Sequence, residues 1–121
     1  MSTGPTSYRR LTEWEKRLIL RLLNAAFPGR NVLLGQLEST MVRQIDANGS
    51  LELHSEATTR AAVEKRIPTE GEATDRDGTT IHYLLHVVAG RLKELEVYKD
   101  DSSRVLEHPE PEDIEVVIPG L

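Results

Sequence analysis

The first clear pattern along the chain is an apolar stripe with helical spacing near the N-terminus. Thr12 and Glu15 form the pattern Thr-x-x-Glu, which marks the start of a helix. Apolar residues then recur every three or four positions: Leu11, Trp14, Leu18, Leu22, Ala25 and Ala26. Pro28 and Gly29 end this pattern. The spacing predicts an amphipathic helix that needs a surface to pack against.

The period of the pattern changes after a short second helix, which Asn31 is expected to cap and which runs through Leu37. From there on, polar and apolar residues alternate as they do in strands with one buried face. The predicted strands are Met41–Asp46, Ser50–His54, Thr59–Ile67, Thr69–Asp75, Thr79–Val88, Arg91–Lys99 and Ile114–Ile118. Glycine-containing turns separate several of these runs.

Helices followed by strands predict an α+β fold. We expect the N-terminal amphipathic helix and the short second helix to pack on one face of an antiparallel β-meander. Residues 1–10 carry no such periodicity and are predicted to form a flexible lead. The remaining residues 11–121 are predicted to form a single domain.

The register of the last long hairpin decides which side chains share the open face of the sheet. We expect a three-residue turn at Val88-Ala89-Gly90, because only Gly90 then needs a positive φ. The predicted pairs are His82 with Glu96, Leu84 with Glu94 and His86 with Leu92. The other face becomes a uniform core face of Ile81, Tyr83, Leu85, Val87, Leu95 and Val97.

The turn at Arg76-Asp77-Gly78 has the same chemistry and sets Glu72 opposite His82. His82 is then expected between Glu72 and Glu96. Such a histidine can act as a general acid or base, or the three can offer one nitrogen and two oxygens to a divalent metal ion. His86 is about 13 Å further along the strand, too far to share that ion. An ordinary solvated or partner-covered sheet face remains the alternative.

The same face carries apolar side chains, which indicates that another segment or molecule packs on it. The cover can be the C-terminal segment of the chain itself, another protein or a second copy. The candidate interaction surface consists of Leu84, His86, Leu92, Glu94 and Tyr98.

Composition and charge narrow the function classes. The 121-residue chain has no cysteine and no apolar run long enough for a membrane span, so we expect a cytoplasmic protein without disulfides. Its formal net charge of −5 disfavours nucleic-acid binding, and no cofactor motif occurs. Two terminal clusters of opposite sign are interpreted as solvated faces or partner contacts: Arg9, Arg10, Lys16, Arg17 and Arg21, and Glu107, Glu110, Glu112, Asp113 and Glu115.

Two tracts carry a family resemblance: L-T-E-W-E-K-R-L-I-L-R-L-L from Leu11 to Leu23, and D-R-D-G-T-T-I-H-Y-L-L-H-V-V-A-G-R-L-K-E-L-E-V-Y-K-D-D from Asp75 to Asp101. Together they resemble a group of small, uncharacterised bacterial domains with a hairpin motif G-x-L-x-E-L-E-V-Y-K. The resemblance implies a bacterial source and a single α+β domain, and it supplies no catalytic residues. Some similar small acidic domains are toxin-immunity or accessory binding proteins, an analogy at the level of the fold.

The sequence therefore favours a non-enzymatic protein-interaction module, accessory or immunity-like, that binds another protein or itself. The alternative is a metal-dependent or acid/base enzyme that uses Glu72, His82 and Glu96.

Overall fold

Both predicted helices form, and the strands assemble into one sheet. The computed structural model describes residues 7–120. Its elements are β1 (Arg9–Arg10), α1 (Glu13–Leu23), α2 (Arg30–Leu37), β2 (Thr40–Gln44), β3 (Leu51–Ser55), β4 (Thr69–Thr74), β5 (Thr80–Val88), β6 (Arg91–Lys99), a 3-10 turn (Pro111–Asp113) and β7 (Glu115–Val117). The α+β prediction is confirmed.

The start of α1 follows the predicted capping box. The Thr12 hydroxyl accepts a hydrogen bond from the Glu15 backbone N–H at 3.1 Å, and the Glu15 carboxylate accepts one from the Thr12 N–H at 2.8 Å. These two bonds satisfy N–H groups that a helix start leaves without partners. The helix buries Leu18, Leu22 and their neighbours in the core, whereas Leu20 remains 38% exposed on the opposite side.

The sheet is antiparallel but is not a simple meander. Its strand order is β1-β2-β3-β6-β5-β4-β7. Only β4, β5 and β6 form consecutive neighbours as predicted, together with the separate β2–β3 hairpin. β3 pairs with β6 instead of β4, so residues 56–68 must cross from the middle of the sheet to β4. The last two residues of the predicted flexible lead, Arg9 and Arg10, form β1 and pair with β2. Residues 1–6 of that lead lie outside the described residues.

The crossing segment does not form the predicted strand Thr59–Ile67. Its backbone bonds instead go to the hairpin tip and to a helix: the Ala61 N–H donates to the Gly90 carbonyl, and the Arg66 carbonyl accepts from the Val87 N–H. The buried Gln36 amide of α2 donates to the carbonyls of Thr59 and Gly90. These separate partners take the place of a continuous strand ladder.

The β5–β6 turn has two residues where three were predicted. Ala89 and Gly90 both have positive φ, 51° and 73°, and Val88 pairs with Arg91. The predicted three-residue turn is therefore wrong. A bulge follows, because Val87 pairs with Leu92 whereas His86 pairs with Glu94.

On the side of the bulge away from the turn, the side chains of β5 and β6 lie on the faces that were predicted. Each of these β5 residues is nevertheless paired with a β6 residue two positions later than predicted. Leu84 lies opposite Glu96, and His82 lies opposite Tyr98. Leu92 is the exception: it lies on the turn side of the bulge, joins the core and is only 3% exposed. Its predicted place on the open face is wrong.

The C-terminal segment, residues 105–114, runs over the face of the sheet that the helices cover. The hydroxyl of buried Tyr83 donates to His108 Nδ1 at 2.8 Å, and the Trp14 indole N–H donates to the Pro109 carbonyl at 3.0 Å. His108 Nε2 donates to the Asn48 carbonyl, which fixes the neutral tautomer, and burial lowers the pKa of this histidine. The opposite face of the sheet is left without this cover.

A buried ion pair anchors that segment. The Lys99 ammonium at the end of β6 lies 3.0 Å from Asp75 and 2.6 Å from Asp77 in the β4–β5 turn. The Asp75 carboxylate also accepts the backbone N–H groups of Leu106 and Glu107. Burial alone would raise the pKa of Asp75, but these hydrogen bonds and the Lys99 ammonium outweigh it and hold the pKa well below its usual range.

Replacing Ala89 by Asn should stabilise the domain, because Asn tolerates the left-handed conformation that strains Ala. We expect the free energy of unfolding to rise by about 0.5–1 kcal/mol in urea titrations. Gly90→Ala should lower it by about 1–3 kcal/mol, since the added Cβ would lie 2.6 Å from the Ala61 carbonyl oxygen. Ala62→Asn, at an exposed loop position, is the control. An unchanged stability of Ala89→Asn would contradict the two-residue turn.

The depressed pKa of Asp75 predicts a loss of stability in acid. Its contribution is complete above the unfolded-state pKa of about 3.9 and falls as the pH drops toward the folded-state value. We expect Asp75→Asn to be less stable than the wild type at pH 7 and to lose less stability between pH 5 and pH 2. Denaturant titrations across this range measure both, with the exposed Asp113→Asn as control. Equal pH slopes for wild type and Asp75→Asn would disprove the assignment.

Candidate functional site

The open face of the sheet presents side chains in rows that run across neighbouring strands. The register places the first row on β7, β4, β5 and β6: Glu115, Glu72, His82 and Tyr98. The second row follows the same strands: Val117, Glu70, Leu84 and Glu96. The third row continues from β5 to β2: His86, Glu94, Glu52 and Arg43. We call this surface the open face.

The predicted cluster of Glu72, His82 and Glu96 comes together only in part. Glu72 lies opposite His82, as predicted, with 3.9 Å between Glu72 Oε1 and His82 Nδ1. The second carboxylate at His82 is that of Asp100, at 2.5 Å from Nε2, and the ring stacks on Tyr98 with centroids 4.7 Å apart. Glu96 lies on the neighbouring row and does not face His82, because of the two-residue shift in register.

Glu96 instead bonds to the buried His86. Glu96 Oε1 lies 2.8 Å from His86 Nε2, and the Arg66 Nε–H donates to His86 Nδ1 at 2.8 Å. An arginine cannot give up its proton, so Nδ1 is the acceptor and Nε2 carries the proton in the neutral ring. Arg66 belongs to the crossing segment, and this bond joins that segment to the open face.

His86, Glu94 and Glu96 form the set with metal-ligand geometry in the described part of the chain. Their candidate ligand atoms lie within 4.8 Å of one another. One imidazole nitrogen and two carboxylate oxygens suit Zn²⁺ or Mn²⁺. A metal-bound histidine usually donates its other N–H to an acceptor, whereas here Arg66 donates into the ring. Metal binding at Nε2 therefore requires Arg66 to leave.

The residues of the predicted interaction surface differ in exposure. Tyr98 is 38% exposed, whereas Leu84 and Glu94 are half-buried on the open face. His86 is buried under Arg66, and Leu92 belongs to the core. The accessible part of the surface is thus centred on Leu84 and Tyr98, and Val117, 36% exposed, lies on the same face at the edge strand β7.

The negative charge of the chain is concentrated on part of the open face. Six carboxylates lie there on β4, β6 and β7 or just beyond β6, and we call them the acidic patch: Glu70, Glu72, Glu94, Glu96, Asp100 and Glu115. Arg66 contacts this surface through its hydrogen bond to His86, which in turn contacts Glu96. Since the whole chain has a formal net charge of −5, the other charged residues balance one another.

Sequence reasoning did not identify Arg66 or Asp100 as neighbours of the two histidines. Asp100 directly follows β6, so its approach to His82 was within reach of the strand pattern. Arg66 lies in a segment without regular structure, and no periodic signal places it near His86.

The two terminal charge clusters contact each other. Arg17 on α1 pairs with Glu110 at 2.9 Å and with Glu112 at 2.5 Å, and the Arg21 Nε–H donates to the Ile114 carbonyl. Arg9 pairs with Glu15 at the start of α1. These contacts fasten the C-terminal segment to α1 and reduce the charge available to a partner.

Within residues 7–120, no helix has the length and apolar character needed to cross a membrane. The fold and the open face define a small α+β domain with a one-sided sheet. The chain belongs to the family described as Domain of unknown function (DUF6984), whose model matches residues 8–109. This match confirms the resemblance to an uncharacterised domain family. No curated protein and no solved structure matches the chain.

Removing Arg66, which donates a hydrogen bond to His86, should make a metal site available. We expect Arg66→Ala to bind Zn²⁺ at least about tenfold more tightly than the wild type, because Nδ1 is then free to carry the proton. The double variant Arg66→Ala/His86→Ala should lose this binding. Native mass spectrometry and calorimetric titration of the chelator-treated proteins measure it.

Arg76→Ala, at an exposed turn position, is the matched control and should bind Zn²⁺ as the wild type does. Equal affinity of the wild type and Arg66→Ala would show that Arg66 does not compete with the metal ion.

Proposed function

We propose that this domain is a protein-interaction module that binds its partner through the open face. The observation that carries the proposal is the path of the C-terminal segment, which packs beside Trp14 and Tyr83 on the covered face. The segment that could have covered the open face therefore lies elsewhere. We keep the cytoplasmic location expected from the cysteine-free composition as part of this proposal.

The composition of the open face supports binding. Apolar side chains of Leu84, Tyr98 and Val117 alternate there with carboxylates, so a partner can bury apolar area and meet charged groups at the same place. A second copy is a poor occupant, because two acidic patches would face each other across a two-fold interface. The proposal is therefore binding to another protein.

A metal-dependent or acid/base enzyme is the second candidate. The observation that favours it is the convergence of His86, Glu94 and Glu96, which replaces the cluster expected from the sequence. It ranks second because the Arg66 guanidinium already holds the histidine nitrogen on the other side of the ring.

A charge inserted at the centre of the open face should abolish partner binding. We expect that the immobilised wild-type domain retains a protein from the native cell and that the immobilised Leu84→Arg variant does not retain it. The retained protein is then purified, and calorimetry should give at least about tenfold weaker binding to the variant, as for a central contact residue. Native mass spectrometry should find the free domain as a monomer.

Leu106→Arg is the matched control, because Leu106 is 48% exposed in the C-terminal segment on the covered side. It should bind as the wild type does. Tyr98→Ala provides a second open-face variant, and circular dichroism establishes that each variant is folded. A partner that binds Leu84→Arg and Tyr98→Ala unchanged would disprove the proposed surface.

A further inference from the structure

We infer that the partner presents a Lys- and Arg-rich segment to the acidic patch. This inference rests on the proposed function and adds the chemistry of the occupant. The patch holds six carboxylates on one half of the sheet, and the basic side chains within 4 Å of them in residues 7–120 are those of His82 and His86. A partner of opposite charge is the occupant that such a surface attracts.

Several carboxylates of the patch lack a cation of their own. Glu70, Glu94 and Glu115 make no ion pair in residues 7–120, and Glu72 has only the 3.9 Å approach of His82. All four are partly or fully exposed, so they are hydrated and accessible to an incoming ammonium or guanidinium group. A cationic partner would gain several charge-assisted hydrogen bonds without displacing internal pairs.

The geometry of the patch suits an extended basic segment. Glu70 and Glu72 are two residues apart on β4, and Glu94 and Glu96 are two residues apart on β6. Each pair is separated by about 6.6 Å along its strand, which equals the spacing of alternate side chains in an extended peptide. A segment with Lys or Arg at every second position can therefore follow either column of carboxylates.

One carboxylate next to the patch already binds a guanidinium group, because Arg43 pairs with Glu52 at 2.5 Å. Arg66 donates to His86 Nδ1, and His86 in turn contacts Glu96. The Arg43–Glu52 pair shows that a carboxylate of the open face accepts arginine at short range. Between the columns, Leu84 offers apolar surface for the methylene groups of a lysine or arginine side chain.

The same charges disfavour other occupants. Nucleic acids and anionic membranes carry phosphate groups that the acidic patch would repel. A second copy would bring six further carboxylates. A neutral apolar segment would have to leave Glu70, Glu72 and Glu94 unpaired or exclude water from them, which costs free energy.

The test uses two labelled peptides, acetyl-Lys-Thr-Lys-Thr-Lys-Thr-Lys-amide and the same peptide with Gln in place of Lys. Fluorescence anisotropy measures affinity, and amide chemical-shift mapping by NMR locates the bound peptide. We expect only the Lys peptide to bind, with shifts on β4, β5 and β6. Its affinity should fall about tenfold or more between about 50 and 300 mM NaCl.

The decisive variant reverses one column of charge, Glu70→Lys/Glu72→Lys, and should weaken binding of the Lys peptide at least about tenfold. Its matched control is Glu38→Lys/Glu64→Lys, which makes the same change in net charge at two exposed positions away from the sheet strands. The control should change the affinity less than about twofold, since distant exposed charges are screened.

Each outcome decides the inference. Equal binding of the two peptides, failure of the Lys peptide to bind, or shifts that miss β4, β5 and β6 would overturn the basic-partner inference. Equal weakening by both double variants would do the same, because it would reveal attraction by net charge alone. The proposed function is decided separately by Leu84→Arg: a partner that lacks a basic segment yet requires Leu84 would preserve that function and overturn the inference.

Discussion

The ion pair between Lys99 and Asp75 determines which face of the sheet remains open. Lys99 ends β6 and Asp75 follows β4, so their contact joins the two strands that flank β5. Since Asp75 also accepts the N–H groups of Leu106 and Glu107, the chain that leaves β6 is directed over the helix-covered face. Separating this buried pair would leave an unpaired charge in the interior, which is strongly unfavourable. The open face thus owes its exposure to a contact on the other side of the sheet.

Hydrophobic periodicity predicted the two helices, six of the strands and the division of β5 and β6 into two faces, because burial on one side constrains every second residue. The sequence pattern set Glu72 opposite His82 correctly, but it did not predict the register of β5 against β6. An Ala at positive φ is locally unfavourable, yet Ala89 adopts it because tertiary contacts determine the turn. Gln36 bonds to Gly90 and Leu92, and Ala61 bonds to Gly90. These partners are distant in sequence, so local turn preferences could not anticipate them.

The candidate site was less predictable than the fold, for a related reason. Beyond the bulge, a shift of two residues preserves the face of each side chain but changes its neighbours, so Glu96 reaches His86 instead of His82. Arg66 arrives from a segment whose path depends on the crossing between β3 and β4. A strand pattern identifies which residues share a surface, whereas contacts between particular side chains depend on register and on irregular segments.

The acidic patch and the missing cover are physically linked. Two carboxylates about 6.6 Å apart repel each other by about 0.6 kcal/mol in water, and by several times that value where the effective dielectric constant is near 20. A covering helix of the same chain would therefore have to supply cations or bear a larger repulsion. While the six carboxylates remain hydrated, their mutual repulsion is weak, and their field attracts a cationic partner before contact. Binding of a cationic segment would relieve the repulsion. The arrangement favours rapid, salt-sensitive and reversible association over a permanent interface.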